Sequence, residues 1–286
     1  MDQSIINLYD EYTHAPLPRR RFIKRLTTLA GGTIAANELL RLLENNYALA
    51  QTVDPEDPSI TAGRVTIEVA SGPLTAYLAR PHVDSDAPGV IVIHENRGLN
   101  AHIEDVARRA AMAGFNALAV DLLSPLGGTP SDEDRARELI AQLDADTVVR
   151  DLMAARVWLA NLEESNGKVG AVGFCWGGGM TNRFAVADPK LNAAVVFYGA
   201  SPDLAGVPNI RAHLLLHYAE HDTRINATVP AYENALNAAD KPYTLFMYDE
   251  VQHAFHNDTN AARYNESAAK LAWKRTIDFL DGTLRH

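Results

Sequence analysis

From residue 65 onwards, short runs of apolar and β-branched residues alternate with longer segments in which apolar residues recur every three or four positions. This alternation is typical of a mostly parallel sheet with helices on both faces. We therefore predict an α/β fold with an eight-stranded sheet, in which the first two strands form a hairpin. The predicted strands are residues 65–70, 74–79, 90–95, 117–122, 169–174, 193–198, 213–218 and 244–249.

Composition limits what such a chain can do. The 286 residues are 47% hydrophobic and 22% charged, which fits one sizeable folded domain. A net charge of −10 repels polyanions, so we expect no nucleic-acid partner. The single cysteine excludes an intrachain disulfide, and we find no apolar run of about 20 residues that would span a membrane.

The first fifty residues have two interpretations. Residues 18–24, PRRRFIK, resemble a twin-arginine export signal, and Ala48 and Ala50 form a small-x-small cleavage site before Gln51. Alternatively, the leucines of residues 39–43 form one buried stripe of a retained helical arm, through which a homo-oligomer could assemble. The first interpretation predicts a periplasmic protein and the second a cytoplasmic one.

The segment after residue 50 separates this N-terminal part from the predicted sheet. Residues 51–62, QTVDPEDPSITA, contain two prolines and several acidic residues, a composition typical of a linker. The predicted organisation is therefore a signal or arm over residues 1–50, a linker over 51–62 and a catalytic domain over 63–286.

Cys175 is the strongest candidate for a catalytic residue. It lies in the sequence Gly173-Phe-Cys-Trp-Gly177, directly after a predicted strand and before a predicted helix. This is the pattern of a nucleophile on a sharp strand-to-helix turn, where side chains at the two glycines would collide with neighbouring elements. The positive end of the following helix favours the thiolate. A buried, unreactive cysteine is the alternative, and the flanking glycines argue against it.

A nucleophile of this kind needs a base and an acid that orients the base, and in this architecture they follow in the order nucleophile, acid, histidine. Asp222 follows the predicted strand 213–218, and His253 follows the strand 244–249. We therefore predict that His253 accepts the proton of Cys175 and that Asp222 fixes the tautomer of His253. The alternative candidates nearby are His217, His221, His256, Asp249 and Asp258.

The loop after the predicted strand 90–95 supplies further candidates. The backbone amides of Asn96 and Trp176 would form an oxyanion hole. The carboxylate of Glu95 would reach the sulfur and keep the resting thiol protonated, unless Glu95 is simply a solvated loop residue. Arg97 and Tyr198 are candidates for contacting the substrate.

Three segments together resemble the dienelactone hydrolase family of the α/β-hydrolase superfamily. They are HENRGLN at residues 94–100, GFCWGGG at 173–179 and HAF at 253–255. The resemblance implies hydrolysis of an ester or lactone through an acyl-cysteine intermediate, with Cys175, His253 and Asp222 in the roles predicted above. It also implies arginines that hold a substrate carboxylate, one of them a few residues after the catalytic histidine, but here the first arginine in that direction is Arg263.

We therefore predict a hydrolase of a small ester or lactone. The alternatives are a hydrolase of another activated acyl compound and a non-catalytic module of the same fold used for binding or assembly. We expect neither an organic cofactor nor a metal, because we find no phosphate-binding glycine loop and no helical H-E-x-x-H motif, and one cysteine cannot form a cysteine-based zinc cluster.

Overall fold

The computed structural model describes residues 1–15, 17–82 and 86–285, and it contains one eight-stranded sheet. The strands lie in the order β1-β2-β4-β3-β5-β6-β7-β8, and only β2 runs antiparallel to its neighbours. The strands are β1 (Ile60–Val69), β2 (Gly72–Pro81), β3 (Ala87–Ile93), β4 (Asn116–Val120), β5 (Ser165–Phe174), β6 (Ala193–Phe197), β7 (His213–His221) and β8 (Tyr243–Gln252).

Helices cover both faces of this sheet, as predicted. Those in the described residues are α1 (Gln3–His14), α2 (Arg19–Leu29), α3 (Thr33–Leu43), α4 (Ala101–Met112), α5 (Glu133–Ile140), α6 (Ala145–Ala160), α7 (Trp176–Ala187), α8 (Thr223–Asn226), α9 (Val229–Ala238) and α10 (Glu266–Leu284). None of them combines the length and the apolar character that crossing a bilayer requires.

Successive side chains of the strands alternate between the two faces of the sheet, and each face has its own core layer. Ile91 and Ile93 of β3 pack with α6, α7 and α9 on one face of the sheet. Val90 and Val92 of the same strand pack with α4 and α10 on the other face. Because successive side chains of a strand point to opposite faces, a central strand covered on both sides is apolar at every position.

All eight predicted strands are present, but their bounds differ. The largest difference is at β1, which begins at Ile60, five residues before the predicted start and inside the predicted linker. β1 is an edge strand that pairs only with β2, and several of its residues, such as Thr61 and Arg64, are exposed and polar. An edge strand of this kind lacks the continuous apolar run that marks a buried strand.

The first fifty residues fold into α1, α2 and α3, which share a small apolar core of their own. Phe22, Leu26 and Leu43 are fully buried in it. The expected leucine stripe is only partly correct, since Leu42 is 47% exposed. At 100° per residue, position 42 points away from the face that carries Leu43. We call residues 1–50 the N-terminal arm.

Candidate active site

Cys175 lies on a sharp turn between β5 and α7. Its backbone has φ 55° and ψ −115°, a conformation that costs a residue with a side chain roughly 1–3 kcal/mol. The amide of Cys175 donates to the Phe197 carbonyl at 3.0 Å. A Cβ added at Gly177 would lie 2.3 Å from the His94 carbonyl oxygen, and one at Gly173 would lie 2.2 Å from the Gly177 carbonyl oxygen. The turn therefore requires both glycines, as the sequence predicts.

Asp222 and His253 form a buried pair at the carboxyl ends of β7 and β8. Nδ1 of His253 lies 2.5 Å from Oδ2 of Asp222, and both residues are at most 5% exposed. Burial lowers the pKa of His253, but the charges of Asp222 and Cys175 outweigh it and raise the pKa to about 10. Burial alone would raise the pKa of Asp222, yet the charge of His253 holds it below its ordinary value.

Nε2 of His253 has no hydrogen-bond partner among the described residues. A nitrogen of this ring and the Cys175 sulfur lie within 4.8 Å of each other. Since Nδ1 is occupied by Asp222, Nε2 is the nitrogen free to exchange a proton with the sulfur. The structure therefore brings together the three residues predicted as nucleophile, base and orienting acid.

A second histidine, which sequence analysis missed, contacts the sulfur. His14 is the last residue of α1, and its Nε2 lies 3.3 Å from Sγ of Cys175. Its Nδ1 lies 3.0 Å from the Asp10 carbonyl oxygen and 2.9 Å from the Thr13 hydroxyl, and because a carbonyl only accepts, the Asp10 contact favours the tautomer with the hydrogen on Nδ1. Nε2 therefore presents a lone pair to the thiol. The rings of His14 and His253 meet edge to face at 4.8 Å.

The alternative histidines and carboxylates lie elsewhere. His217 bridges the hydroxyls of Thr276 and Tyr248 inside the core. His256 packs against Phe174 and Phe197, and burial lowers its pKa well below the ordinary value. Asp258 pairs with His102 and Arg109. Among these candidates, only His253 combines an aspartate partner with proximity to Cys175.

Glu95 is buried near the sulfur, but its hydrogen bond goes elsewhere. Its Oε2 accepts from Nδ2 of Asn257 at 2.7 Å, and its Oε1 has no partner among the described residues. Glu95 and Cys175 line the same small cavity. The residue in hydrogen-bond contact with Sγ is His14. A restraining role of Glu95 on the thiol stays a prediction.

Arg97 and Tyr198, the predicted substrate contacts, are both buried. Arg97 pairs with Glu133 at 3.2 Å and donates to the Tyr9 hydroxyl at 3.2 Å. Tyr198 has φ 40°, and its ring lies 5.0 Å from that of His253. Neither is among the residues that line the large cavity beside Cys175.

That large cavity has a volume of about 1090 Å³ and opens onto Cys175. Asn96 and Trp176, the predicted oxyanion-hole residues, also line it. Trp176 is the first residue of α7, where a backbone amide has no intrahelical acceptor. One wall belongs to the N-terminal arm and is formed by Tyr12, Thr13, His14, Ala15, Leu17, Pro18 and Arg19.

Polar contacts hold α1 against the catalytic domain. Asn96 donates its side-chain amide to the Thr13 carbonyl at 2.8 Å. Arg263 pairs with Asp10 at 2.9 Å. The Arg137 guanidinium lies 4.2 Å from the centre of the Tyr12 ring.

Two residues of the export-like pattern also take part in this packing. Phe22 stacks on Tyr12 at 4.3 Å, and Arg19 pairs with Glu44 and Asp134. The same residues that resemble an export signal therefore hold the cavity wall in place.

A mostly parallel eight-stranded sheet with helices on both faces and a strand-turn-helix at Cys175 defines an α/β-hydrolase. The dienelactone hydrolase family model matches residues 74–284. The chain belongs to the dienelactone hydrolase family, which confirms both the predicted fold class and the resemblance drawn from its motifs.

Individual relatives agree with this assignment. A protein of Methylorubrum extorquens, provisionally named a carboxymethylenebutenolidase, is 30% identical over 277 residues, covering 91% of this chain and 95% of the relative. A Bradyrhizobium protein, provisionally named a 2-oxo-3-(5-oxofuran-2-ylidene)propanoate lactonase, is 33% identical over 220 residues, covering 72% and 88%. A crystal structure of a provisionally assigned dienelactone hydrolase from Klebsiella pneumoniae superposes with a TM-score of 0.69 at 31% identity, covering 77% and 97%.

Proposed function

We propose that this hydrolase cleaves a small ester or lactone by acyl transfer to Cys175, with His253 as general base and acid and Asp222 as the orienting residue. The observation that carries the proposal is the pair of His253 and Asp222 at 2.5 Å, with Nε2 of His253 left free beside a cysteine on a strained turn. The raised pKa of His253 favours its protonated form and hence the thiolate of Cys175.

Each step then has a residue to perform it. The thiolate attacks the carbonyl carbon, and the amides of Asn96 and Trp176 donate to the resulting oxyanion. The carbon–oxygen bond to the leaving group breaks, and the leaving alkoxide takes the proton of His253. Water then attacks the thioester while His253 accepts one of its protons, and the carbon–sulfur bond breaks to release the acid and restore Cys175.

The cavity suggests the kind of substrate. Arg183 and Arg224 line it without an ion-pair partner among the described residues. Two free guanidinium groups at the wall of a cavity of about 1090 Å³ favour a small substrate with a negatively charged substituent. The lactonase name of the Bradyrhizobium relative is consistent with such a substrate.

The test compares the wild type with Cys175→Ala on a panel of neutral and anionic aryl esters and lactones, followed by mass spectrometry of the intact protein. We expect turnover and an acyl adduct on Cys175 in the wild type, and a loss of at least about a thousandfold in the variant. Equal turnover by both proteins would exclude Cys175 as the nucleophile. Two folded but inert proteins would favour the non-catalytic binding module.

We also propose that residues 1–50 act as a retained arm, since Tyr12, Thr13 and His14 form part of the cavity wall. Processing after Ala50 would remove that wall and expose the apolar side chains beneath it. The intact mass of untagged protein purified from its own cell decides the matter. A chain beginning at Gln51 would support the export signal instead. Assembly of an oligomer through the arm stays a prediction that light scattering can test.

A further inference from the structure

Three potential metal ligands from three distant parts of the chain meet at the active site. His14 comes from the N-terminal arm, Cys175 from the turn after β5, and His253 from the loop after β8. Their ligand atoms all lie within 4.8 Å of one another, and Nε2 of His14 is 3.3 Å from Sγ. Two imidazoles and a thiolate are the ligand types that zinc selects in proteins.

Both imidazoles are already oriented as metal ligands. A ligating histidine usually donates its other ring N–H to a carboxylate or a backbone carbonyl, which fixes the tautomer. His253 has its Nδ1 on the Asp222 carboxylate at 2.5 Å, and His14 has its Nδ1 on the Asp10 carbonyl at 3.0 Å. In each ring Nε2 is the nitrogen left for a metal, in His253 once its proton has been displaced, and Nε2 of His253 has no hydrogen-bond partner among the described residues.

The charges around the cluster also suit a cation. Glu95 lines the same small cavity as His14, Cys175 and His253, and its buried Oε1 has no partner among the described residues. The arginines of that cavity are already paired, Arg97 with Glu133 and Arg263 with Asp10. A carboxyl oxygen without a hydrogen-bond partner therefore lies beside the three ligands.

We propose that His14, Cys175 and His253 bind a zinc ion, whose fourth position faces the large cavity. In a tetrahedral site with Zn–S of about 2.3 Å and Zn–N of about 2.0–2.1 Å, ligand atoms are roughly 3.3–3.6 Å apart. The contact between His14 and Cys175 already has this length. Small side-chain rotations would bring the remaining pairs from within 4.8 Å to the same spacing.

Binding has two consequences. The sulfur donates its electron pair to zinc, and one proton leaves the Cys175–His253 pair for solvent, so the sulfur is no longer available for attack on a carbonyl. This inhibition rests on the proposed function, but the binding itself does not. Because His14 belongs to α1, zinc also ties the arm to the catalytic domain.

The experiment is a titration of the reduced, chelator-treated full-length protein with Co²⁺, a spectroscopic substitute for zinc, followed by displacement with Zn²⁺. We expect one Co²⁺ per chain, with a sulfur-to-cobalt charge-transfer band in the near ultraviolet that zinc abolishes. His14→Gln should weaken binding at least tenfold, and Cys175→Ser should remove the charge-transfer band. His213→Gln is the matched control, since His213 is an exposed histidine on β7, and it should bind as the wild type does.

A wild type without the band, or a folded His14→Gln variant that binds within twofold of the wild type, would overturn the proposal. The latter result would mean that His14 only accepts a hydrogen bond from the thiol. If His14→Gln does not fold, the substitute test is the rate at which iodoacetamide alkylates wild-type Cys175 with and without zinc. An alkylation rate that zinc does not lower would also overturn the proposed site. Cobalt binding by a protein that cleaves no ester would leave the metal site standing and refute the proposed reaction alone.

Discussion

Replacing Asp222 by asparagine tests the proposed roles of Asp222 and His253 most directly. The change conserves size, and an asparagine side chain can still accept from the amide of Ile225, which now donates to Asp222 Oδ1 at 3.2 Å. What disappears is the negative charge next to Nδ1 of His253. An asparagine amide can also donate to Nδ1, which would place the hydrogen on Nε2 and leave no lone pair for the proton of Cys175.

The expected magnitude follows from the pKa of His253. Burial lowers this pKa, and the charges of Asp222 and Cys175 together raise it from 6.5 to about 10. Without Asp222 this pKa should fall, and the asparagine also favours the wrong tautomer of His253, a change that lowers turnover by about 10⁴-fold in a catalytic triad.

The assay is the rate at which iodoacetamide alkylates Cys175, measured from pH 5 to pH 9, together with ester turnover. The wild-type rate should change little across neutral pH, whereas the variant should react at least about tenfold more slowly at pH 7. Asp258→Asn is the matched control, because Asp258 pairs with a different histidine: its Oδ1 lies 2.9 Å from Nδ1 of His102. An Asp222→Asn rate within tenfold of the wild type at pH 7, or an equal loss in Asp258→Asn, would refute the assignment.

Three further predictions concern the fold around the site. Burial, together with the charge of Arg275, lowers the pKa of His217 to about 3, so between about pH 6.5 and pH 3 only the unfolded chain binds a proton at this residue. The free energy of unfolding should therefore decrease as the pH is lowered through this range, by up to about 1.4 kcal/mol per pH unit. His217→Asn should lose this dependence in urea titrations. Gly177→Ala should abolish turnover, whereas Gly63→Ala, whose Cβ meets nothing within 4 Å, should leave it intact. Phe22→Ala should weaken arm packing by about 3–5 kcal/mol, seen as faster hydrogen exchange in α1, and unchanged exchange would contradict the docking described.

The parts of the site that sequence analysis predicted are those that depend on local pattern. Gly173 and Gly177 mark a turn whose geometry excludes side chains, and the strands before Asp222 and His253 place both residues at one edge of the sheet. In a parallel sheet these carboxyl ends lie together, so chain order combined with a position directly after a strand favoured Asp222 and His253 over their neighbours.

The parts that were missed depend on docking between distant segments. His14 lies 161 residues before Cys175, in a stretch whose basic residues suit an export signal as well as a surface helix. No local pattern indicates that α1 ends over the nucleophile. Arg263 likewise reaches the small cavity beside Cys175 ten residues after His253, whereas the family resemblance led us to seek an arginine nearer to the histidine.

The position of the arm in the chain has a consequence for biosynthesis. Asp10 and its partner Arg263 are separated by 253 residues, and Gln3 contacts Gln252 across 249. At a synthesis rate of roughly 5–20 residues per second, the ribosome needs about 10 to 50 s after making α1 before it makes these partners. The arm can therefore form its own apolar core, to which Ile5 and Tyr9 belong, long before the residues on which it docks have been made. The nucleophile gains its covering wall only when synthesis is almost complete.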